Sequence, residues 1–199
     1  MPDERTAVLD RTDEELIDLF QRGDGRAFDA LVARYKDQLV NFAFRFVGDY
    51  DAADEVAQET FLRVYRNKHA YKPVAKFSTW IYTIASNLAK SEIRRRKRHS
   101  MFSLSGRSRG DEEKEVELPD ESSRTDGEAE RALLAELIQK ALDSVPAKYK
   151  EIVILRYVQE MSYEEISAIT GLNPGTVKSR LNRARERLQK LLKGVAVEE

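Results

Sequence analysis

Residues 162–193, SYEEISAITGLNPGTVKSRLNRARERLQKLLK, leave the chain few ways to fold. Ser162 and Glu165 stand at capping-box spacing, in which each side chain satisfies an orphan backbone N–H of a first helical turn. Ile166 and Ile169 follow at i, i+3, and Gly171 stands where a helix ends on a left-handed residue. Leu172 plugs the turn. Asn173 is a good N-cap and Pro174 suits the first helical position, where its missing N–H costs nothing. Val177, Leu181, Leu188 and Leu192 then face inward at helical spacing. Lys178, Arg180, Arg183, Arg185 and Arg187 are left for the outer and flanking faces. The pattern predicts a helix-turn-helix whose second helix suits a DNA major groove.

The rest of the composition limits what such a unit serves. The chain has 199 residues, 41% hydrophobic and 35% charged, which fits one large or two small helical domains. No run of 18 apolar residues occurs, so no membrane insertion is expected. The start, MPDERTAVLDRTDEE, is acidic and unlike a secretory signal. With no cysteine and only His69 and His99, neither disulfides, a metal centre nor a cofactor is expected, and a reducing cytoplasm is the expected location. Net charge is only −1, yet it is segregated. Residues 90–98 carry a net +5, residues 178–193 a net +6, and residues 111–130 between them a net −8. Two basic patches across an acidic spacer point to two contacts with one polyanion.

Periodicity places the other elements. Thr12 and Glu15 form a second capping box, opening a helix over 13–22 that the Gly23-Asp24-Gly25 turn ends. A long helix is predicted over 26–47, closed by Gly48, and a third over 51–67. On the third, Ala53, Val56, Ala57, Thr60, Phe61 and Val64 face inward, and Leu62 is expected to pack as well. Its opposite face carries Asp51, Asp54, Glu55, Gln58, Glu59, Arg63 and Arg66. After a loop pinned by Pro73, Ser78 or Thr79 is expected to cap a helix reaching Arg98. From His99 to Gly127 no period holds, which reads as a flexible acidic linker. Helices resume from Glu128, with Val145-Pro146 separating two of them. No strand alternation appears, so the expected fold class is all-α. Its divisions are an N-terminal tail (1–12), a first domain (13–98), a linker (99–128) and a second domain (129–194).

Four blocks in this order resemble the extracytoplasmic-function sigma factors of bacterial RNA polymerase. They are DAADEVAQETFLRVYR, FSTWIYTIASN with the arginines after it, LRYVQEMSYEEISAITG and GTVKSRLNRARERL. The resemblance implies sigma domain 2, a linker and sigma domain 4, without domain 3. It implies promoter-specific initiation with core polymerase in a stress or envelope response, and no enzymatic activity. The implied partners are core RNA polymerase (its largest-subunit clamp helices and its flap), promoter DNA and an anti-sigma factor.

The resemblance also assigns residues. The polar face Asp51, Asp54, Glu55, Gln58, Glu59, Arg63 and Arg66 matches the helix that docks on the clamp helices, chemistry suited to an electrostatically selective interface. Tyr71, Lys72, Lys76, Phe77, Ser78, Thr79, Trp80 and Tyr82 match the part that handles the minus-10 element, where extracted bases need stacking partners and phosphates need cations. Trp80 matches the first tryptophan of the melting pair in housekeeping sigma factors, and Ile81 stands in the place of the second. Asn87, Lys90, Arg94 and Arg95 are expected duplex contacts. In the helix-turn-helix, Thr176, Lys178, Ser179, Asn182 and Arg183 form the expected minus-35 reading face. Arg180, Arg185 and Arg187 are expected to fix register on phosphates. Two other readings compete: a free-standing DNA-binding regulator, and a DNA-modifying enzyme with a helix-turn-helix arm. The second is disfavoured by the lack of cysteine, Gly-rich loop and metal cluster. Asp51, Asp54 and Glu55 at i, i+3, i+4 look like surface.

Overall fold

A computed structural model describes the backbone of residues 10–105 and 126–195, and the side chains of residues 10–100 and 133–190. Residues 1–9 of the expected tail, residues 106–125 of the expected linker and the Leu192 side chain lie outside that description. Among the described residues every regular element is helical.

Local chemistry sets the helix ends. Helix α1 (Asp13–Gln21) starts on the Thr12–Glu15 capping box. Asp24 caps α2 (Gly25–Val47) through the Arg26 N–H, and Gly48 ends it in the left-handed region at φ 74°. Asp49 at once caps α3 (Tyr50–Arg66), accepting from the Ala52 N–H at 2.8 Å. A 3-10 turn, Lys68–Ala70, leads toward α4 (Phe77–Ser105).

Helix α4 departs from the sequence expectation at both ends. Neither Ser78 nor Thr79 caps it. The Phe77 N–H donates to a Glu14 carboxylate oxygen of α1 at 3.0 Å, and the Trp80 N–H already reaches the Lys76 carbonyl. Both hydroxyl residues therefore sit inside the first turn, and a carboxylate from another helix does the capping. At its far end α4 runs on to Ser105, so the expected linker boundary at His99 is too early. Losing the apolar period does not end a helix that meets no Gly or Pro before Gly106. Glu92 supports this part, bridging Arg95 at 2.7 Å and Arg96 at 2.9 Å from i, i+3 and i, i+4 positions.

Helix α2 is the spine of the first domain. Its buried residues Leu31, Tyr35, Leu39, Phe42 and Phe46 meet Leu16, Ile17 and Phe20 of α1, Val56 and Val64 of α3, and Phe77, Ile81 and Ala85 of α4. Asp13 accepts hydrogen bonds from both Arg34 and Tyr35, tying α1 to α2.

The second domain comprises α5 (Asp126–Ser144), α6 (Ala147–Tyr157), α7 (Tyr163–Thr170) and α8 (Pro174–Val195). Helix α5 begins two residues before Glu128, where the sequence placed it. The Pro146 carbonyl accepts from the Tyr149 and Lys150 N–H groups, opening α6 as expected. The Ser162–Glu165 box, the left-handed Gly171 at φ 72° and the Asn173 cap on the Thr176 N–H are all present. Helix α6 differs from the others: Tyr149, Lys150, Ile152, Val153, Ile154 and Leu155 are all buried. One side of α6 packs on α7 and α8 and another reaches α2, while α7 lies along α4. The two domains thus share an interface.

The caps give a direct test. Ser162→Ala should cost about 1 kcal/mol and lower the melting temperature. Thermal denaturation followed by circular dichroism checks it, and an unchanged midpoint would show that the box does not hold α7.

Candidate nucleic-acid and protein interfaces

Helix α3 divides its residues as its period requires. Ala52, Ala53, Val56, Ala57, Thr60 and Val64 are buried. Asp51, Asp54, Glu55, Gln58, Arg63 and Arg66 are exposed, with Glu59 half-buried. Gln58 donates to Asp54 at 2.7 Å and Arg63 to Glu59 at 2.9 Å, which organises the face without neutralising it. One expectation fails here. Leu62 does not pack inside; it is 47% exposed. At 100° per residue it falls between Asp51 and Glu55 on the outward stripe, a signal already present in the spacing. Phe61 is half-buried, edge-on to Phe28 at 6.4 Å.

Helix α4 and the loop before it sort the expected minus-10 residues into three groups. Tyr71, Phe77, Thr79 and Tyr82 are buried, so they offer no surface in this arrangement. The Tyr71 hydroxyl donates to the Ala75 carbonyl at 2.8 Å and its ring lies 5.9 Å from Phe77. Tyr82 packs edge-on to Phe42 at 5.2 Å, and burial pushes its phenol well above the usual range. What these rings do is hold Trp80. The half-buried indole lies 5.5 Å from Tyr71 and 6.0 Å from Phe77. A second group is open: Lys72, Asn87, Arg94 and Arg95 are exposed, and Ser78 is half-buried. Trp80, Asn87 and Arg94 recur at seven-residue spacing, which puts them on one stripe of the helix.

The third group is held by the second domain. Lys76 pairs with Glu165 of α7 at 2.8 Å, and Lys90 with Glu151 of α6 at 2.9 Å. Ser86 also donates to Glu151, and Tyr82 to Gln159. The hydrogen bond from Lys76 holds the Glu165 carboxyl below the usual carboxylate range, and Glu165 in turn raises the Lys76 ammonium. Sequence reasoning missed both carboxylates, because nothing in the spacing says which helices meet.

Helix α8 buries Val177, Leu181 and Ala184 and turns its cations to two flanks and an outer face. Arg180 reaches the Lys148 carbonyl at 3.4 Å, Arg185 the Tyr157 hydroxyl at 2.8 Å, and Arg187 lies over the Tyr149 ring at 5.9 Å. All three are tethered to α6 and flank the helix. Lys178, Ser179, Asn182 and Arg183 are exposed, and Thr176 is half-buried behind them. Arg183 stands beside the Tyr149 hydroxyl, holds that phenol below its usual range, and lines a cationic hollow with Arg187, Lys190 and Glu186. The arrangement supplies donors for base edges on the outer face and point charges for phosphates on the rim.

Among the described residues no group of three or more His, Asp or Glu side chains is placed to hold a metal ion. No described helix is long and apolar enough to cross a membrane.

Two family models match, Sigma-70 region 2 over residues 31–99 and Sigma-70 region 4 over residues 135–188. The extracytoplasmic-function (ECF) RNA polymerase sigma factor SigW of Bacillus subtilis is 33% identical over 175 residues, covering 87% of this chain and 92% of that protein. Of solved structures, CnrH in complex with the cytosolic domain of CnrY is similar at a TM-score of 0.69 and 25% identity, covering 92% of this chain and 97% of that one. The sigma factor RpoE of Bartonella quintana, in complex with the anti-sigma factor NepR, is similar at a TM-score of 0.64 and 28% identity, covering 83% and 96%. With both regions matched in order and the SigW likeness running through each, the chain belongs to the extracytoplasmic-function sigma factors of the sigma-70 family.

Proposed function

We propose that this sigma factor holds core RNA polymerase through the outward face of α3 and reads a promoter at two points, minus-10 through α4 and minus-35 through α8. The observation that carries the reading is the separation of surfaces. An acidic and polar face on α3 stands apart from outward cationic stripes on α4 and α8. A carboxylate-rich face repels DNA, and a dense arginine face suits the phosphate backbone. The chain therefore has to bind two kinds of partner at once.

On α3, Asp51, Asp54, Glu55, Gln58, Glu59, Arg63 and Arg66 form the polar surround of the clamp-helix contact, and exposed Leu62 is its apolar centre. On α4, Trp80 receives an unstacked base while Lys72, Asn87, Arg94 and Arg95 hold the strand, with Lys76 and Lys90 joining once released. Tyr71, Phe77 and Tyr82 position Trp80 rather than touch DNA. On α8, Lys178, Ser179, Asn182 and Arg183 read bases with Thr176 behind them, and Arg180, Arg185 and Arg187 fix register. Neither small domain needs high affinity alone, since mounting both on the polymerase raises the effective concentration of the second contact. The catalysis of RNA synthesis stays with the polymerase, and the work is done in the cytoplasm, where promoters are. CnrH and RpoE were solved with the cytosolic domain of CnrY and with the anti-sigma factor NepR, and we extend an inhibitory partner of that kind to this chain. Run-off transcription with purified core polymerase tests the whole reading. Initiation only with the chain present supports it, whereas a specific footprint by the chain alone, without core, would favour the free-standing regulator.

Two substitutions separate the surfaces. Leu62→Ala should weaken core binding about tenfold, roughly 1.4 kcal/mol, while costing less than about 1 kcal/mol of stability because half of the residue already lies in water. Fluorescence titration with core polymerase, set beside a thermal melt, measures both, and unchanged affinity would remove Leu62 from the interface. Arg183→Ala should cost about 1–3 kcal/mol at the minus-35 element with little change at minus-10, whereas Arg180→Ala should weaken binding evenly across sequences. Transcription from promoters mutated in one element at a time checks this, and equal loss at both elements for Arg183→Ala would refute the assignment.

A further inference from the structure

The loop that leads into α4 has little of its own to shape it. Lys72, Pro73, Val74, Ala75 and Lys76 are all exposed, Val74 to 91%. Its internal tie is the Tyr71 hydroxyl on the Ala75 carbonyl. Its two ends are held by α1. The Gln21 amide donates to the Lys68 carbonyl at 2.7 Å and to the Tyr71 carbonyl at 3.2 Å, where the chain leaves the 3-10 turn. The Lys68 ammonium donates to the Phe20 carbonyl at 2.8 Å and lies over the Phe20 ring at 4.3 Å, which ties the same end to the last turn of α1. At the other end a Glu14 carboxylate oxygen accepts from the Phe77 N–H at 3.0 Å. Burial first, and then this same carboxylate, push the Tyr71 phenol above its usual range, so Glu14 stands close over the loop. Glu14 and Gln21 are seven residues apart, which puts them on one stripe of α1, about 10 Å from each other along its axis. Ile17 lies between them on that stripe and is fully buried, so the stripe is seated on the core.

We propose that Glu14 and Gln21 are positioning residues for the minus-10 element: α1 clamps the loop at both ends and so sets how Lys72 and Trp80 meet the strand. This rests on the minus-10 assignment of α4. Neither side chain has to touch DNA. A loop shaped before the strand arrives saves the cost of ordering it on binding. Glu14 acts on Trp80 through the first turn of α4. The Phe77 N–H is an orphan donor of that turn, and the next tie, the Trp80 N–H on the Lys76 carbonyl, is long at 3.3 Å. A carboxylate suits the place twice over, as a charge-assisted acceptor and as an anion at the positive end of the helix dipole. Without it the turn that carries the indole is free to fray.

Trp80 is the one tryptophan of the chain, so its fluorescence reports this corner directly. In the free chain Glu14→Ala should about double the quenching of Trp80 by acrylamide, as a fraying turn opens to solvent. With core polymerase, run-off transcription from promoters mutated in one element at a time gives the second readout. The penalty for a mutated minus-10 element should shrink about fivefold, the worth of a lost cap, while the minus-35 penalty holds. Glu14→Gln keeps an acceptor oxygen and should restore both readouts to within about twofold. Asp18→Ala removes an exposed carboxylate of the same helix, paired with Arg22 at 2.6 Å, and should change neither. Gln21→Leu keeps the bulk, loses both donated bonds and should give the pattern of Glu14→Ala, which serves if that variant does not fold. Unchanged quenching in both variants, equal loss at both elements, or a defect in Glu14→Gln as large as in Glu14→Ala would overturn the proposal. Failure of the native chain to initiate with core polymerase would instead refute the promoter reading, and Trp80 quenching would still decide whether α1 sets the loop.

Discussion

An eleven-residue helix buried all round through its middle decides how this molecule is put together. In α6, Ile152, Val153, Ile154 and Leu155 follow one another, and four consecutive positions span nearly a full turn. All four are buried, so no orientation of α6 leaves only polar residues in water. A two-layer domain would cover one side of such a helix and leave the other wet. Here α7 and α8 cover one side, α5 reaches Lys150, and α2 of the first domain covers another part. Lys150 shows how complete the cover is: only 7% exposed, its ammonium needs the Asp143 carboxylate at 2.7 Å. The charged contacts between the domains are placed by this apolar seat and do not create it.

Charge segregation follows from the same economy of surface. A chain with 34 basic and 35 acidic residues has no net field to steer it, so specificity depends on where each sign is displayed. Helix α3 pairs its charges along its own face, Gln58 to Asp54 and Arg63 to Glu59, and so keeps a fixed polar pattern around Leu62. Helix α8 ties Arg180, Arg185 and Arg187 back to α6, which leaves Ser179 and Asn182 at its front and Arg183 beside the Tyr149 hydroxyl. In each case short-range contacts restrain the rim and leave the centre of the face unspent.

What could be read from the sequence was local, and what could not was the identity of neighbours. The caps at Thr12, Asn173 and Ser162 and the stops at Gly48 and Gly171 follow from side-chain chemistry within four residues, and each occurs where the spacing puts it. The outer residues of α3 and α8 were legible because a single period sets them. Tyr71, Phe77 and Tyr82, expected at the minus-10 element, are buried here, and the reason is the opposite one. An aromatic near a cation looks the same in sequence whether its ring meets a base or a core, and only the packing of Tyr35 and Phe42 against them decides. The start of α4 fails likewise, since its cap is Glu14, 63 positions away. Leu62 is different: its angle on the helix was available, and hydrophobicity was given more weight than geometry.

The aromatic arrangement also explains why a single indole serves α4. Neighbouring helical residues point about 100° apart, so Trp80 and position 81 cannot both lie flat on the same outer stripe. Here Ile81 is fully buried against the α2 spine, and Trp80 takes the rim, braced by Tyr71 and Phe77. A larger ring at 81 would overpack a core that has no room for it, or would have to turn outward and give up its contact with α2. In the minus-10 role proposed for it, one braced ring would offset the unstacking of one base, where two would share the cost of opening the duplex. On that proposal, promoter opening would lean on what the polymerase supplies by holding α4 and α8 at fixed separation. The lone indole on the rim of α4 is a consequence of one packing choice at Ile81.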